Sequence, residues 1–220
     1  MTGPEDEAPW VFGVDALPEQ VELAAVVRDV VGKALSVEQP GPALTDLLGR
    51  LSISADELAN VVPNDLKPRV GPFVDGEGRA YLDHGRDIPA YNPMFPPYEI
   101  TVHSTALATG TVTFPLCYEG PPGCVNGGFL SVFFDCVVQH HNCQVGLSGK
   151  TRNLDVRYKR PTPLLKRLTF RIERTVDAGQ VQSVATLSDG DAPLAVATTA
   201  AVAADRAGMM AVSLRRPVEP

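Results

Sequence analysis

One stretch in the middle of the chain, from Gly127 to about Asn142, limits the folds that the sequence can adopt. Placed on a helix, its apolar residues cover nearly the whole circumference: Phe129, Leu130, Val132, Phe133, Phe134, Cys136, Val137 and Val138. A helix on a protein surface has one apolar stripe, whereas a helix that is apolar all round is buried. We therefore predict a helix that the rest of its domain surrounds.

Strand-like runs lie on both sides of this predicted helix. Two precede it, at Tyr98–His103 and Ala106–Phe114, and four follow it, at Asn153–Tyr158, Leu168–Val176, Val181–Leu187 and Leu194–Ala203. Turn residues at 177–180 and 188–191 indicate antiparallel hairpins. An antiparallel sheet curled around the central helix gives this order of elements one shared core. We expect an α+β domain over residues 71–220.

Residues 1–70 have a different pattern, which predicts a helical N-terminal extension. A first helix is expected to begin at Pro18, because proline favours the first helical turn and apolar residues follow it at helical spacing. A second, short helix is expected at Ala43–Leu51. Ser54 and Glu57 match a capping box and predict the start of a third helix.

Composition restricts the classes of partner. The chain has 220 residues and a formal net charge of -7, which argues against a general nucleic-acid binder. Its apolar runs fall short of the roughly 20 residues that a membrane span needs. The start at residues 1–7 is acidic, unlike a signal peptide, so a cytoplasmic protein is expected. The four cysteines show no C-x-x-C spacing, and neither a metal nor a cofactor is predicted.

Within this acidic chain, residues 152–174 form a basic segment with eight basic and two acidic side chains. Such a concentration of positive charge suits a small phosphorylated ligand. The solvated faces of two strands would produce the same pattern, and the charge alone favours neither interpretation.

Two features of the central helix indicate chemistry. Gly127 and Gly128 leave the first-turn amides unshielded, and these amides, which have no partner within the helix, can bind a developing oxyanion. Alternatively, the glycines only allow close packing where a strand turns into the helix. Asp135 is the second feature, because a carboxylate in so apolar a helix is unfavourable unless it is hydrogen-bonded, paired or used. The alternative is an Asp on a polar stripe that faces water with Ser131 and Gln139.

The spacing of these two features constrains how they can act together. Gly128 and Asp135 are seven residues apart, which is roughly 10.5 Å along a helix. One helix can hardly bring both of them against a single carbonyl group. A second, antiparallel copy of the chain can supply one of them. We therefore expect a homodimer, or a dimer of dimers, with sites across its interface.

The Asn-Gly-Gly sequence at 126–128, followed by Asp135, resembles the phenylacetyl-CoA thioesterase-like branch of the hotdog-fold superfamily. The signature of that branch is His-Gly-Gly with an Asp nine positions after the His. The stretch Thr151–Leu164 is similar to the family's long strand and to the basic-Arg-Pro-x-Pro sequence that ends it. The resemblance extends over about Asn92–Ala204. It implies a hotdog fold, in which the antiparallel sheet wraps around the central buried helix.

The resemblance also implies an activity and a role for several residues. The activity is hydrolysis of an acyl-CoA thioester, in which Asp135 activates water or attacks the thioester and Thr151 assists. The Gly128 amide, next to Gly127, would hold the carbonyl oxygen. Asn126 replaces the signature His, and its amide can donate a hydrogen bond but cannot titrate near neutral pH. The alternative is therefore a non-catalytic or weakly active acyl-CoA-binding protein.

Contacts to the substrate follow from the same resemblance. Arg157, Lys159 and Arg160 would meet the phosphates of coenzyme A. Asn92 precedes the first strong strand, where family members often have a polar residue near the thioester, although Asn-Pro is also an ordinary turn sequence. The expected partner is an acyl-CoA, and neither a nucleic acid nor a membrane.

Overall fold

The computed structural model of the protein describes residues 16–62, 73–74, 78–79, 87–146 and 149–203. Its helices are α1 (Pro18–Leu35), α2 (Pro42–Ala59), α3 (Ile88–Tyr91) and α4 (Gly127–Gln144). Its strands are β1 (Phe73–Val74), β2 (Gly78–Arg79), β3 (Tyr98–Val102), β4 (Leu107–Thr113), β5 (Gly149–Tyr158), β6 (Arg167–Asp177), β7 (Gln180–Asp189) and β8 (Ala192–Ala203). The domain boundary predicted near residue 70 lies outside the described residues.

Six strands form one antiparallel sheet in the order β3-β4-β6-β7-β8-β5. Strand β5 comes directly after α4 in the chain and lies at the edge of the sheet, where it pairs with β8. Strands β1 and β2 form a separate two-stranded sheet. The predicted order of two strands, one central helix and four strands in an antiparallel sheet is confirmed.

The core lies between α4 and the inward face of the sheet. Along β6 the residues alternate between exposed and buried, and Leu168, Phe170 and Ile172 point inward. Phe133 of α4 is fully buried, and its ring meets the ring of Phe170 edge-on with the centroids 5.4 Å apart. Burial of one such side chain contributes roughly 1.5–3 kcal/mol to stability. The apolar residues that cover α4 on all sides, and that predicted a buried helix, therefore hold this helix against the sheet.

Tight turns join the last three strands. Between β6 and β7, Ala178 and Gly179 have φ angles of 46° and 77°, which is the conformation that a two-residue hairpin turn of the primed type requires. Gly190, with φ of 57°, lies between β7 and β8. Both predicted hairpins are confirmed.

Over residues 16–62, the described part of the N-terminal extension, there are two helices rather than the predicted three. Residues 42–59 form a single helix, so the prediction of separate helices at Ala43–Leu51 and after Ser54 is wrong. No proline or glycine lies between Leu51 and Glu57 to interrupt the helix. A capping box is a local pattern of four residues, and Ser54 shows that it can also occur inside a helix. The predicted start of α1 at Pro18 is confirmed.

Arg28 attaches α1 to the sheet domain. Its buried guanidinium donates to the main-chain oxygens of Pro89, Asn92 and Phe95, and its Nε donates to the Tyr118 hydroxyl at 3.2 Å. These acceptors lie before β3 and before α4, so one side chain joins three segments of the chain. Helix α2, in contrast, has no buried residue.

Candidate functional site

Asn126 is the N-cap of helix α4. Its side-chain Oδ1 accepts a hydrogen bond from the Gly128 N–H at 2.8 Å. Asparagine is among the best N-cap residues, because its short side chain reaches an amide of the first turn that has no partner within the helix. The amide predicted to hold a carbonyl oxygen is thus bonded to the residue that replaces the signature His. A preference for Asn at helix starts was the sequence signal that could have revealed this contact.

Gly127 lies against the end of strand β5. The Tyr158 hydroxyl donates to the Gly127 carbonyl oxygen at 2.8 Å, and the Ser131 hydroxyl lies 3.2 Å from the same tyrosine oxygen. A Cβ atom at position 127 would lie 3.1 Å from that oxygen. The glycine therefore leaves room for Tyr158, as the close-packing interpretation expected. Sequence reasoning did not single out Tyr158.

Asp135 lies one helical turn beyond Ser131, and it is half-buried. The Thr151 hydroxyl donates to Asp135 Oδ1 at 2.8 Å and accepts from Gln139 Nε2 at 2.7 Å. Thr151 lies on β5 next to the irregularity between Thr151 and Asn153, where the strand shifts register against β8. The structure thus brings together Asp135 and Thr151, the two residues that were predicted to cooperate.

The second oxygen of Asp135, Oδ2, accepts no hydrogen bond from the described part of the chain. A carboxylate whose Oδ1 is held by a hydroxyl can use Oδ2 as a general base or as a nucleophile. Gln139, four residues after Asp135, adds a second polar group that sequence reasoning had placed only on a water-facing stripe.

Helix α4 and strand β5 run antiparallel beside each other. Asp135 meets Thr151 near the start of the strand, and Gly127 meets Tyr158 at its end. Along the strand, Thr151 and Tyr158 are seven residues apart, which is about 23 Å. Along the helix, Gly127 and Asp135 are eight residues apart, which is about 12 Å. A single chain therefore holds the Asp135 carboxylate apart from the first-turn amides.

Two grooves of the described chain lie away from the carboxylate. One, of about 660 Å³, follows the outer face of the sheet past Thr109 and Arg171. The other, of about 520 Å³, separates α1 from Leu116 and Leu165. Asp135 lines neither of them.

The predicted phosphate-binding residues lie on both sides of Tyr158, at the end of β5 that meets Gly127. Arg157 forms an exposed ion pair with Asp155 at 3.3 Å, and Arg160 donates to the Pro193 carbonyl oxygen at 2.7 Å. The Lys159 side chain is exposed. All three lie on the side of the first-turn amides, at the opposite end of β5 from Thr151.

Asn92 forms a turn. Its side-chain Oδ1 accepts from the Met94 N–H at 3.0 Å, and its main-chain oxygen accepts from Arg28. The side chain thus has the local role that the turn interpretation predicted, and the structure does not bring it into contact with Asp135 or with Gly128.

Buried polar residues surround the C-terminal end of α4. The His141 Nε2–H donates to the Ser104 carbonyl oxygen at 2.9 Å, and burial lowers the pKa of this histidine. Arg174 of β6, also buried, donates from Nε to Asn142 Oδ1 at 2.7 Å and from Nη1 to the Thr105 carbonyl oxygen at 3.0 Å. Neither Arg174 nor Asn142 was singled out from the sequence.

Cysteine chemistry is not indicated at this helix. Burial and the neighbouring Asp135 carboxylate raise the pKa of the Cys136 thiol, which keeps it in the unreactive protonated form. Among the described residues, no group of three or more His, Cys, Asp or Glu side chains is placed to hold a metal ion. No helix in the described ranges is long and apolar enough to cross a membrane.

No family model and no curated protein matches the sequence. Among solved structures, a thioesterase superfamily protein aligns with a TM-score of 0.70 at 26% identity, over 87% of this chain and 99% of that chain. The chain has the hotdog fold of the thioesterase superfamily. The resemblance that the sequence predicted is confirmed at the level of this superfamily.

Two further solved structures align with about half of the chain. One is a hypothetical thioesterase from Streptococcus pneumoniae TIGR4 with coenzyme A (20% identity, TM-score 0.46, 50% of this chain and 91% of that chain). The other is the PaaI protein from the phenylacetic acid degradation operon of E. coli (14% identity, TM-score 0.44, 48% and 82%). The 87% alignment covers more than residues 92–204, so the protein in that alignment shares part of the N-terminal region as well.

Proposed function

We propose that the protein hydrolyses an acyl-CoA thioester to a free acid and coenzyme A, with Asp135 as general base or nucleophile. The observation that supports this most directly is the hydrogen bond from Thr151 to Asp135, on the central helix of a thioesterase fold. It leaves Oδ2 of the carboxylate available for reaction.

The proposed chemistry has two forms. In the first, Asp135 Oδ2 takes a proton from water as the water oxygen attacks the thioester carbonyl carbon. The carbon–sulfur bond then breaks, and the proton passes to the departing thiolate of coenzyme A. In the second, Asp135 itself attacks, the thiolate leaves, and water hydrolyses the resulting anhydride. Both forms give the same products and regenerate the carboxylate.

The oxyanion would be stabilised at the N-terminus of α4. Two hydrogen-bond donors are available there, the Gly128 N–H and the side-chain Nδ2 of Asn126. The helix dipole also favours negative charge at this position. Because Asn126 Oδ1 accepts from Gly128, the substrate oxygen has to displace this side chain or bind to its Nδ2. The replacement of the signature His by Asn therefore alters the oxyanion site directly.

Two copies of the chain would complete each site. Strand β5 is an edge strand, and an open strand edge favours pairing with another chain. If two β5 strands pair antiparallel around a two-fold axis, the Tyr158 end of one copy lies opposite the Thr151 end of the other. The first-turn amides of one subunit would then approach Asp135 of the other. We propose a homodimer with two such sites, which can assemble further into a dimer of dimers.

The first experiment measures thiol release from a panel of acyl-CoAs by the wild type, Asp135→Ala and Asp135→Asn. Activity that falls by at least about a hundredfold in both variants supports the proposal. Equal rates for the wild type and the variants would remove Asp135 from the mechanism. Circular dichroism of both variants checks that α4 remains folded.

A second candidate function is an acyl-CoA-binding protein with weak or no turnover. The contact between Asn126 and the Gly128 amide favours it, because the capping oxygen competes with a substrate oxygen for that donor. This candidate predicts saturable binding of acyl-CoA without thiol release. A large gain in rate on Asn126→His would show that the site is intact and that Asn126 limits it.

A further inference from the structure

A chain of four hydrogen bonds runs along one face of α4 and ends on Asp135. Arg174 Nε donates to Asn142 Oδ1 at 2.7 Å, and Asn142 Nδ2 donates to Gln139 Oε1 at 3.4 Å. Gln139 Nε2 donates to the Thr151 hydroxyl at 2.7 Å, and that hydroxyl donates to Asp135 Oδ1 at 2.8 Å. We call these five residues the relay.

The cation at its start determines the direction of the relay. A guanidinium only donates, so Asn142 must present its oxygen to Arg174 and its NH2 group to Gln139. Gln139 must then accept with its oxygen and donate with its own NH2 group to Thr151. A hydroxyl that accepts from Gln139 has a single proton left, and Asp135 receives it. Every donor thus points from Arg174 toward the carboxylate.

The fold brings these residues together from three elements. Asp135, Gln139 and Asn142 are spaced at i, i+4 and i+7, which places them on one face of α4. Thr151 lies on β5, at the sheet edge, and Arg174 lies at the end of the inward row of β6. The relay therefore follows the helix face from β6 to β5, which the sheet separates by two strands.

Burial makes the placement of Arg174 informative. Arg174 and Asn142 are 4% and 0% exposed, and no carboxylate contacts Arg174 within the described residues. An unpaired charge in such a position is costly. The C-terminal end of α4 and the Thr105 carbonyl oxygen offset part of this cost, because both present negative partial charge. The remaining polar contact of Arg174 is Asn142, the first acceptor of the relay.

We propose that Arg174 is a positioning residue which, through Asn142 and Gln139, holds the Thr151 proton on Oδ1 of Asp135. This leaves Oδ2 as the reacting oxygen and fixes the plane of the carboxylate. The expected effect on kcat rests on the proposed function. The orientation of the five relay side chains does not depend on it. Arg174 and Asn142 are buried, so they act through the carboxylate and change kcat rather than KM.

Asn142→Asp separates a positioning role from a structural one. The substitution keeps the size of the side chain and its acceptor for Arg174, and it adds a counter-charge for the buried guanidinium. However, a carboxylate cannot donate to Gln139, so Gln139 Oε1 loses the donor that Asn142 supplies to it. We expect kcat to fall about tenfold, KM to stay within about twofold, and Tm to be no lower than in the wild type.

Two further variants test the direction of the relay. Arg174→Lys keeps a residue that only donates, whereas Arg174→Gln can present its oxygen to Asn142 and allows the relay to reverse. The lysine variant should retain more of the wild-type kcat than the glutamine variant. Ser183→Ala is the matched control: Ser183 is the buried cross-strand neighbour of Arg174 and makes no hydrogen bond with its side chain. It should leave kcat unchanged.

A second measurement is independent of catalysis. In 15N-labelled protein, the side-chain amide resonances of Gln139 should shift in Asn142→Asp and stay in place in Ser183→Ala. Unchanged Gln139 resonances, or a wild-type kcat in Asn142→Asp, would overturn the inference. If the wild type releases thiol from no acyl-CoA, the proposed function fails, and the resonances alone decide whether Arg174 orients the relay.

Discussion

The Thr151 hydroxyl donates a hydrogen bond to Asp135 Oδ1 at 2.8 Å from the neighbouring strand. This bond joins the helix that forms the core to the strand that forms the open edge of the sheet. It therefore holds the candidate catalytic carboxylate beside an edge strand of the sheet.

Replacing Thr151 tests the contribution of this bond. Thr151→Val has nearly the same shape but no hydroxyl, so Asp135 loses its donor and Gln139 loses its acceptor. We expect kcat to fall by roughly ten- to a hundredfold, while Thr151→Ser restores most of the rate. Steady-state thiol release with one acyl-CoA measures both. A valine variant as active as the wild type would contradict the role of Thr151.

Substitutions of Asn126 should separate capping from catalysis. Asn126→Asp keeps an N-cap acceptor and adds favourable charge at the helix start, so Tm should not fall. The carboxylate would repel the oxyanion and cannot donate to it, so kcat/KM should fall. Asn126→Ala should lose about 1 kcal/mol of unfolding free energy in denaturant titrations, because the Gly128 N–H loses its acceptor. If stability and kcat/KM fell together in both variants, capping and catalysis would not be separate roles of Asn126.

The central helix and the sheet could be predicted because their signals are local and periodic. Apolar residues cover α4 on all sides, and β6 alternates at every second residue from Leu168 to Arg174. The hairpin turns contain glycine where the backbone needs a positive φ, as at Gly179 and Gly190. Such patterns need no knowledge of distant contacts.

The relay could not be predicted in the same way. Arg174 follows Asn142 by 32 positions, and only the packing of α4 against the sheet brings their side chains to 2.7 Å. The alternation of β6 predicts an inward residue at position 174 but not why a charged one is tolerated there. The prediction for helix α2 failed for the opposite reason. A local capping pattern at Ser54 was given more weight than the lack of proline and glycine between Leu51 and Glu57.

The basic residues at the end of β5 provide a test with two substrates. Lys159→Glu and Arg160→Glu should raise KM for an acyl-CoA several-fold, because they place negative charge near the expected position of its phosphates. KM for an acyl-pantetheine, which has the thioester but no nucleotide phosphates, should not change. Equal effects on both substrates would show that these side chains do not meet phosphate.

Stability should depend on pH through His141. Burial, with a further contribution from the positive charge of Arg174, lowers the pKa of this histidine in the folded protein. Below its unfolded pKa of about 6.5 the unfolded chain binds a proton that the folded chain resists, so stability falls as the pH decreases. The decrease in Tm from pH 7.5 to 5.5 should be smaller in His141→Gln. His103→Gln is the matched control, because it removes an exposed imidazole rather than a buried one.

Subunit complementation tests whether each site uses both copies of the chain. Asp135→Ala removes the carboxylate, and Gly128→Pro removes the first-turn amide at a position where a helix tolerates proline. If the site spans the interface, a mixed dimer has one site with both changes and one with neither. Random exchange of subunits should then recover about a quarter of the wild-type rate from two inactive proteins. No recovery in a mixture whose mixed dimers are verified by native mass spectrometry would place both groups in the same subunit. That result would contradict the roughly 10.5 Å that α4 puts between them.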